Sequence, residues 1–224
     1  MRAFLFDLDD TLFDHRHSTR VALGVIQRHL PALAALPLDV LEERHGVVLE
    51  SVHQQVLAGA LSVDDARIAR FRRLVETHGG TPRAGEIEQA ARAYRAAYRE
   101  ARRPVPGAVA LLKTLRPHGA IGVVSNNILS EQQDKIAACG MREHIDVLLV
   151  SEEAGCAKPD PAIFRMALEK LGAAPEETIM IGAAGIRSVW FNPLKRPCPD
   201  QSVIAGQIGC WEPPDAVVER LLRC

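Results

Sequence analysis

The chain has 224 residues, enough to bury a substantial core as one large domain or as a domain with an inserted partner. Hydrophobic residues make up 47% and charged residues 25%, an ordinary globular balance, and the formal net charge of -1 offers no basic field to nucleic acid or to an anionic membrane. Five cysteines (Cys139, Cys156, Cys198, Cys210 and Cys224) form no CxxC pair, which argues for reduced thiols in a cytoplasm and against a disulfide frame or a zinc site.

The first predicted element is AFLFDLD (3–9), a short apolar run that reads as a strand buried on both faces. Acidic residues interrupt it too early for a signal peptide or a membrane span. No strand signal follows until about residue 103. RVALGVIQRHL (20–30), the stretches 38–61 and 63–80, and AGEIEQAARAYRAAYREARR (84–103) all space apolar residues three and four apart, as helices do. ARRPVPGA (101–108) then stops the last helix with two prolines and a glycine, and marks the return from an inserted helical block.

From there apolar runs and helical patterns alternate. AIGVVSNN (120–127), DVLLVSEE (146–153), TIMIG (178–182) and IRSVWFN (186–192) read as strands, and VALLKTLRPHG (109–119), SEQQDKIAACG (130–140) and PAIFRMALEKLG (161–172) as helices. Gly140 and Gly172 stand where a glycine closes a helix. Alternation of this kind predicts an α/β fold with a parallel sheet, a Rossmann-like core made of residues 1–13 and 104–224, with an all-helical domain at 14–103.

Three places carry chemistry. Asp7 and Asp9 stand at the carboxyl end of the first strand, where open α/β sheets place ligands. Asp7 can supply a nucleophile and a metal contact for phosphoryl transfer, and Asp9 can protonate the leaving oxygen and later activate water, with Thr11 shaping the loop. The plainer alternative is an acidic exit that caps a turn. Ser125 closes the second core strand and can hold a phosphoryl oxygen, or can merely cap the next helix. Lys158, on a loop stiffened by Pro159 and Pro161, can bridge a nucleophile and a phosphate, or can be a solvated surface lysine.

DxDxT, a Ser-ended strand and Lys-Pro before a helix, in that order, resemble the haloacid dehalogenase-like superfamily over nearly the whole chain, and the helical insert resembles that family's cap. The resemblance implies a phosphatase in which Asp7 is the nucleophile, Asp9 the acid and base, and Ser125, Asn126 and Lys158 the phosphate ligands beside Thr11. It also implies magnesium as cofactor, with Asp7 and Asp9 as its protein ligands. The implied partner is a small phosphorylated metabolite, and the dehalogenating branch of the family lacks the second aspartate that Asp9 supplies here. A dinucleotide-binding domain is disfavoured because no GxGxxG follows a strand.

One departure stands out. The family's fourth, acidic motif is missing: TIMIG passes through Ala183, Ala184 and Gly185 directly into IRSVWFN. Parallel neighbours need a crossover of about a dozen residues. Either the two runs pair differently, or one is not a strand, or a segment is absent there. The last is the preferred explanation, and would separate consecutive Cα atoms between Gly182 and Gly185 by about 10 Å or more. Loss of that motif predicts weak magnesium binding unless Glu152, Glu153 or Asp160 stands in, although these three also read as loop or capping carboxylates. The alternative function is a catalytically impaired or non-catalytic binding protein on the same scaffold.

Overall fold

The computed structural model describes residues 2–182, 188–197 and 204–223. The chain divides into two compact units, Met1–Asp14 with Arg103–Cys224, and His15–Arg102. Strand β1 (Ala3–Phe6) is buried at every position and precedes the second unit.

That second unit is built from α1 (His15–Ile26), α2 (Leu38–Leu57), α3 (Val63–Glu76) and α4 (Glu86–Glu100). The spacing seen in the sequence becomes its core: α4 turns Ile87, Ala90, Ala91, Tyr94 and Tyr98 inward, one stripe of a 3.6-residue period. Ser62 starts α3 by accepting the Asp65 N–H at 3.1 Å. Tyr94 lies 5.1 Å from the Phe71 ring and 4.4 Å from the Arg70 guanidinium. His45, 1% exposed, stacks on Phe71, and burial pushes its imidazole pKa well below 6.5.

In the first unit β1 is followed, after the helical insert, by α5 (Ala108–Leu115), β2 (Ala120–Ser125), α6 (Leu129–Ala138), β3 (Val147–Val150), α7 (Ser151–Ala154) and α8 (Pro161–Leu171). Then come β4 (Thr178–Ile181), β5 (Ser188–Phe191), β6 (Ile204–Ile208) and α9 (Pro214–Leu222). The two passages between units run side by side: Phe13 bridges Pro104, and the Arg103 guanidinium grips Asp14 at 2.7 Å. As the sequence predicts, α6 and α8 close at left-handed Gly140 and Gly172. No helix among the described residues is long and apolar enough to cross a membrane.

The six strands form one parallel sheet in the order β3-β2-β1-β4-β5-β6. Apolar side chains of β1, β2, β3 and β4 (Leu5, Val124, Leu149 and Met180) meet Ile163, Phe164, Ala167 and Leu171 of α8 in a buried cluster. The contact is close: a Cβ on Gly122 would lie 2.7 Å from Leu5 Cδ2 and 2.9 Å from Leu171 Cδ1. Chain order leaves β1 for β2 on one side and returns from β3 to β4 on the other. The switch point therefore falls at the carboxyl end of β1.

Two of the explanations for the short link between TIMIG and IRSVWFN, that the runs pair differently or that one is not a strand, are corrected. β4 and β5 are parallel neighbours, and Ile181 is the partner of Val189. Residues 183–187, and with them the expected wide spacing between Gly182 and Gly185, lie outside the described residues. Strand β6 is an addition. Its burial alternates as expected of an edge strand, and IAGQI lacks the aliphatic run that marks the buried ones.

Candidate active site

Register delivers the site. Phe6 is paired with Val123 of β2 and with Ile181 of β4, so the next residue, Asp7, emerges beside the ends of both neighbours. Its N–H still donates to the Ile181 carbonyl at 2.9 Å, which fixes the main chain before the loop begins. The loop then folds on itself: Thr11, Leu12 and Phe13 all donate to the Leu8 carbonyl, at 3.2, 2.9 and 2.9 Å. From the far end of the chain, fully buried Trp211 donates its indole N–H to the Thr11 carbonyl at 2.8 Å. Its ring stacks on Phe191 with centroids 3.9 Å apart.

Asp7 is 9% exposed. Lys158 donates to its Oδ1 at 2.5 Å, and the Thr11 hydroxyl donates to its Oδ2 at 3.3 Å. Burial raises the Asp7 pKa above its ordinary 3.8; the Lys158 ammonium pulls against this, while the charge of Asp9 pushes the same way as burial. Gly182, just past β4, has φ +112°, and a Cβ there would stand 2.8 Å from the Asp7 Cβ and 2.9 Å from Thr11 Oγ1. A glycine is what lets β4 end against the Asp7 loop.

Lys158 is aimed by Asn126. The Asn126 amide accepts the Lys158 N–H at 2.7 Å and donates to the Lys158 carbonyl at 2.9 Å, clasping the main chain of the loop from both sides. Expected as a phosphate ligand, the Asn126 side chain is thus engaged in holding the lysine that meets Asp7. Ser125, 2% exposed, ends β2 and accepts from Gln132 Nε2 at 2.5 Å. The Asp9 carboxyl meets α6, where Lys135 donates to both its oxygens at 2.6 and 2.9 Å and Gln132 donates to Oδ2 at 3.1 Å.

Asp7, Thr11, Asn126 and Lys158 thus meet directly, and Ser125 and Asp9 join through Gln132. Gln132 and Lys135 escaped the sequence reading. The available signal was their spacing, i and i+3 on the helix that follows Ser125, which puts both on one face. Trp211 carried no local signal, since its partner is 200 residues away in sequence.

Asp7 and Asp9 supply the hard oxygen donors that magnesium favours. Among the described residues, no group of three or more His, Cys, Asp or Glu comes together to hold a metal ion. The donor set suits magnesium in kind and is short in number. Two of the carboxylates considered as substitutes do other work. Glu152 accepts the Leu129 N–H at the start of α6, and Asp160 accepts the Ala162 N–H at the start of α8, each at 2.8 Å. Glu153 is exposed on α7.

A family model described as a haloacid dehalogenase-like hydrolase matches residues 1–184. The chain is 38% identical over 142 residues to the phosphoserine phosphatase of Thermus thermophilus, a match covering 57% of this chain and 55% of that protein. It is 28% identical over 205 residues to the ribulose-1,5-bisphosphate 5-phosphatase of Halopiger xanaduensis, covering 85% of this chain and 84% of that one. The chain thus spans about half the length of the Thermus relative. Among solved structures, the HAD-hydrolase YfnB of Bacillus subtilis bound to magnesium has a TM-score of 0.71 at 20% identity, covering 98% of each chain. A dehalogenase with intermediate complex has a TM-score of 0.75 at 18% identity, covering 99% of this chain and 97% of that one. At such identities the structures speak for the fold.

Proposed function

The chain belongs to the haloacid dehalogenase-like hydrolases, and we propose that it hydrolyses a phosphoric monoester of a small metabolite through a phosphoryl group carried on Asp7. The observation that carries this reading is the pair of aspartates two residues apart with different partners. Asp7 is buried against Lys158, and Asp9 is turned to α6. One can attack while the other moves a proton.

Lys158 holds Asp7 Oδ1 at 2.5 Å, and Oδ2, which accepts the longer 3.3 Å bond from Thr11, is the oxygen that attacks phosphorus. Asp9 enters this step protonated on Oδ1, Oδ2 being the oxygen that accepts from both Lys135 and Gln132. As the bond from phosphorus to the ester oxygen breaks, it gives that proton to the leaving alkoxide, yielding an alcohol and phosphoryl-Asp7. Asp9, now a carboxylate, takes a proton from water. The water oxygen bonds to phosphorus, Asp7 leaves as a carboxylate, and inorganic phosphate is released. Lys158 spans nucleophile and phosphoryl oxygen and offsets their repulsion. The Ser125 hydroxyl, already accepting from Gln132, is left to donate its own proton to a phosphoryl oxygen.

Magnesium belongs to the same reading: Asp7 and the Asp9 carbonyl would hold it, and it would supply positive charge to the transferring group. The sequence relatives that hydrolyse phosphate esters support a phosphatase over a dehalogenase, as does the presence of Asp9. A cytoplasmic setting fits the unpatterned cysteines.

The test is release of phosphate from 4-nitrophenyl phosphate and a panel of phosphorylated metabolites, with magnesium and with chelator. Turnover that is abolished by Asp7→Asn is expected. The short donor set favours one second reading, a binding protein on this scaffold. It would release no phosphate from any ester yet still bind inorganic phosphate.

A further inference from the structure

Helix α6 buries Gln132, Lys135 and Ile136, so two of its three inward residues are polar. Lys135 is 4% exposed and Gln132 is fully buried. Lysines are almost never buried unless paired, and replacing a buried ion pair with apolar residues of similar size is often neutral or stabilising. Packing alone therefore gives no reason for a lysine at this position. Its ammonium meets both oxygens of Asp9 and lies 5.2 Å from the centre of the Phe13 ring.

Gln132 has the complementary task. Its Nε2 donates to Asp9 Oδ2 and to Ser125 Oγ, while its Oε1 is buried with no partner among the described residues. Asp9 Oδ2 already accepts from Lys135 and acts only as an acceptor, leaving Oδ1 for the proton that Asp9 transfers, so the side of the amide that faces Oδ2 has to be the NH2 group. The orientation is set by Asp9, at the expense of an unsatisfied oxygen. One amide thereby ties the proton-transferring side chain to the hydroxyl at the end of β2.

We propose that Lys135, with Gln132 as its bridge to Ser125, is a positioning residue: it holds the Asp9 carboxyl at the angle from which a proton reaches the leaving oxygen. The assignment rests on the phosphatase reading above, and it assigns a function to a helix face that no catalytic step otherwise uses. It predicts a dependence on the leaving group. An alkyl phosphate needs a proton delivered as its bond breaks, whereas 4-nitrophenolate leaves without one. The ratio kcat/KM reports formation of the phosphoryl-enzyme, where only that difference acts.

The experiment compares Lys135→Met, Lys135→Arg and Gln132→Met with the wild type on an alkyl phosphate and on 4-nitrophenyl phosphate, after circular dichroism has confirmed folding. Lys135→Met should lose roughly a hundredfold in kcat/KM on the alkyl ester, the contribution of a placed acid, and little on the aryl ester. Lys135→Arg should recover part of the loss, and Gln132→Met should show a smaller loss of the same kind. In an Asp9→Asn background, Lys135→Met should add little, since both changes remove one device. Equal losses on the two esters, or full additivity with Asp9→Asn, overturn the assignment and leave the phosphatase intact. If Lys135→Met does not fold, Lys135→Arg and Gln132→Met decide by the same ratio. A wild type that releases no phosphate from these esters or from any member of the metabolite panel overturns the phosphatase reading itself, and this assignment with it.

Discussion

Gly182→Ala is the sharpest structural perturbation of the site. At φ +112° an alanine pays for a backbone region that L residues seldom visit, on the order of 1–3 kcal/mol. Its Cβ would also stand 2.8 Å from the Asp7 Cβ and 2.9 Å from Thr11 Oγ1, and relieving such an overlap costs about 1–3 kcal/mol. Together the loss is on the order of 3 kcal/mol, or about 10 °C in melting temperature for a chain of this size. One overlap is with the proposed nucleophile and the other with the threonine that donates to it, so turnover should fall by about a hundredfold, as misplacement by an ångström does. Trp190 and Trp211, the two tryptophans of the chain, both belong to the unit that holds the sheet, so tryptophan fluorescence during a thermal scan follows that unit. A variant with the wild-type melting temperature and turnover would refute the close approach of β4 to the Asp7 loop.

Gly46, inside α2 with open space around its Cβ position, should respond oppositely. Gly46→Ala should stabilise the helical unit by about 1 kcal/mol, read by circular dichroism in urea, and a loss of stability would contradict the helix there. Trp211→Ala removes a fully buried ring and the bond to the Thr11 carbonyl, and should cost about 3–5 kcal/mol in urea unfolding followed by Trp190 emission; a loss below 1 kcal/mol would contradict its packing. For His45 the folded state holds the imidazole neutral, while the unfolded chain takes up a proton below pH 6.5. The unfolded state then binds more protons, so stability is full above 6.5 and falls as pH drops below it, by about 1.4 kcal/mol per unit while His45 stays neutral. His45→Gln should remove that part of the slope, and an unchanged slope would contradict the burial.

The parts of the site legible in the sequence are those that end a strand. DLDDT and Ser125 each follow an apolar run long enough to be read as buried, and Lys158 is marked by the prolines beside it. Register decided what the runs could not. The lengths of TIMIG and IRSVWFN say nothing of the stagger that pairs Ile181 with Val189. IAGQI is small and polar enough to pass for a loop, and it becomes a strand because β5 offers it a free edge. Gln132 and Lys135 look like the solvated face of a helix until α6 is packed beside the Asp7 loop. Asn126 was expected to meet phosphate, and only the folded loop shows its amide engaged by the main chain of Lys158.

The central claim is that Asp7 carries the phosphoryl group. It is tested most directly by mixing the enzyme with 4-nitrophenyl phosphate, quenching during turnover, reducing with borohydride and mapping peptides by mass spectrometry. An acyl phosphate is reduced where a carboxylate is not, so homoserine is predicted at position 7 in the quenched enzyme and aspartate in the enzyme without substrate. Aspartate at position 7 in a preparation that is releasing phosphate, with the reduced residue elsewhere or nowhere, would contradict the mechanism.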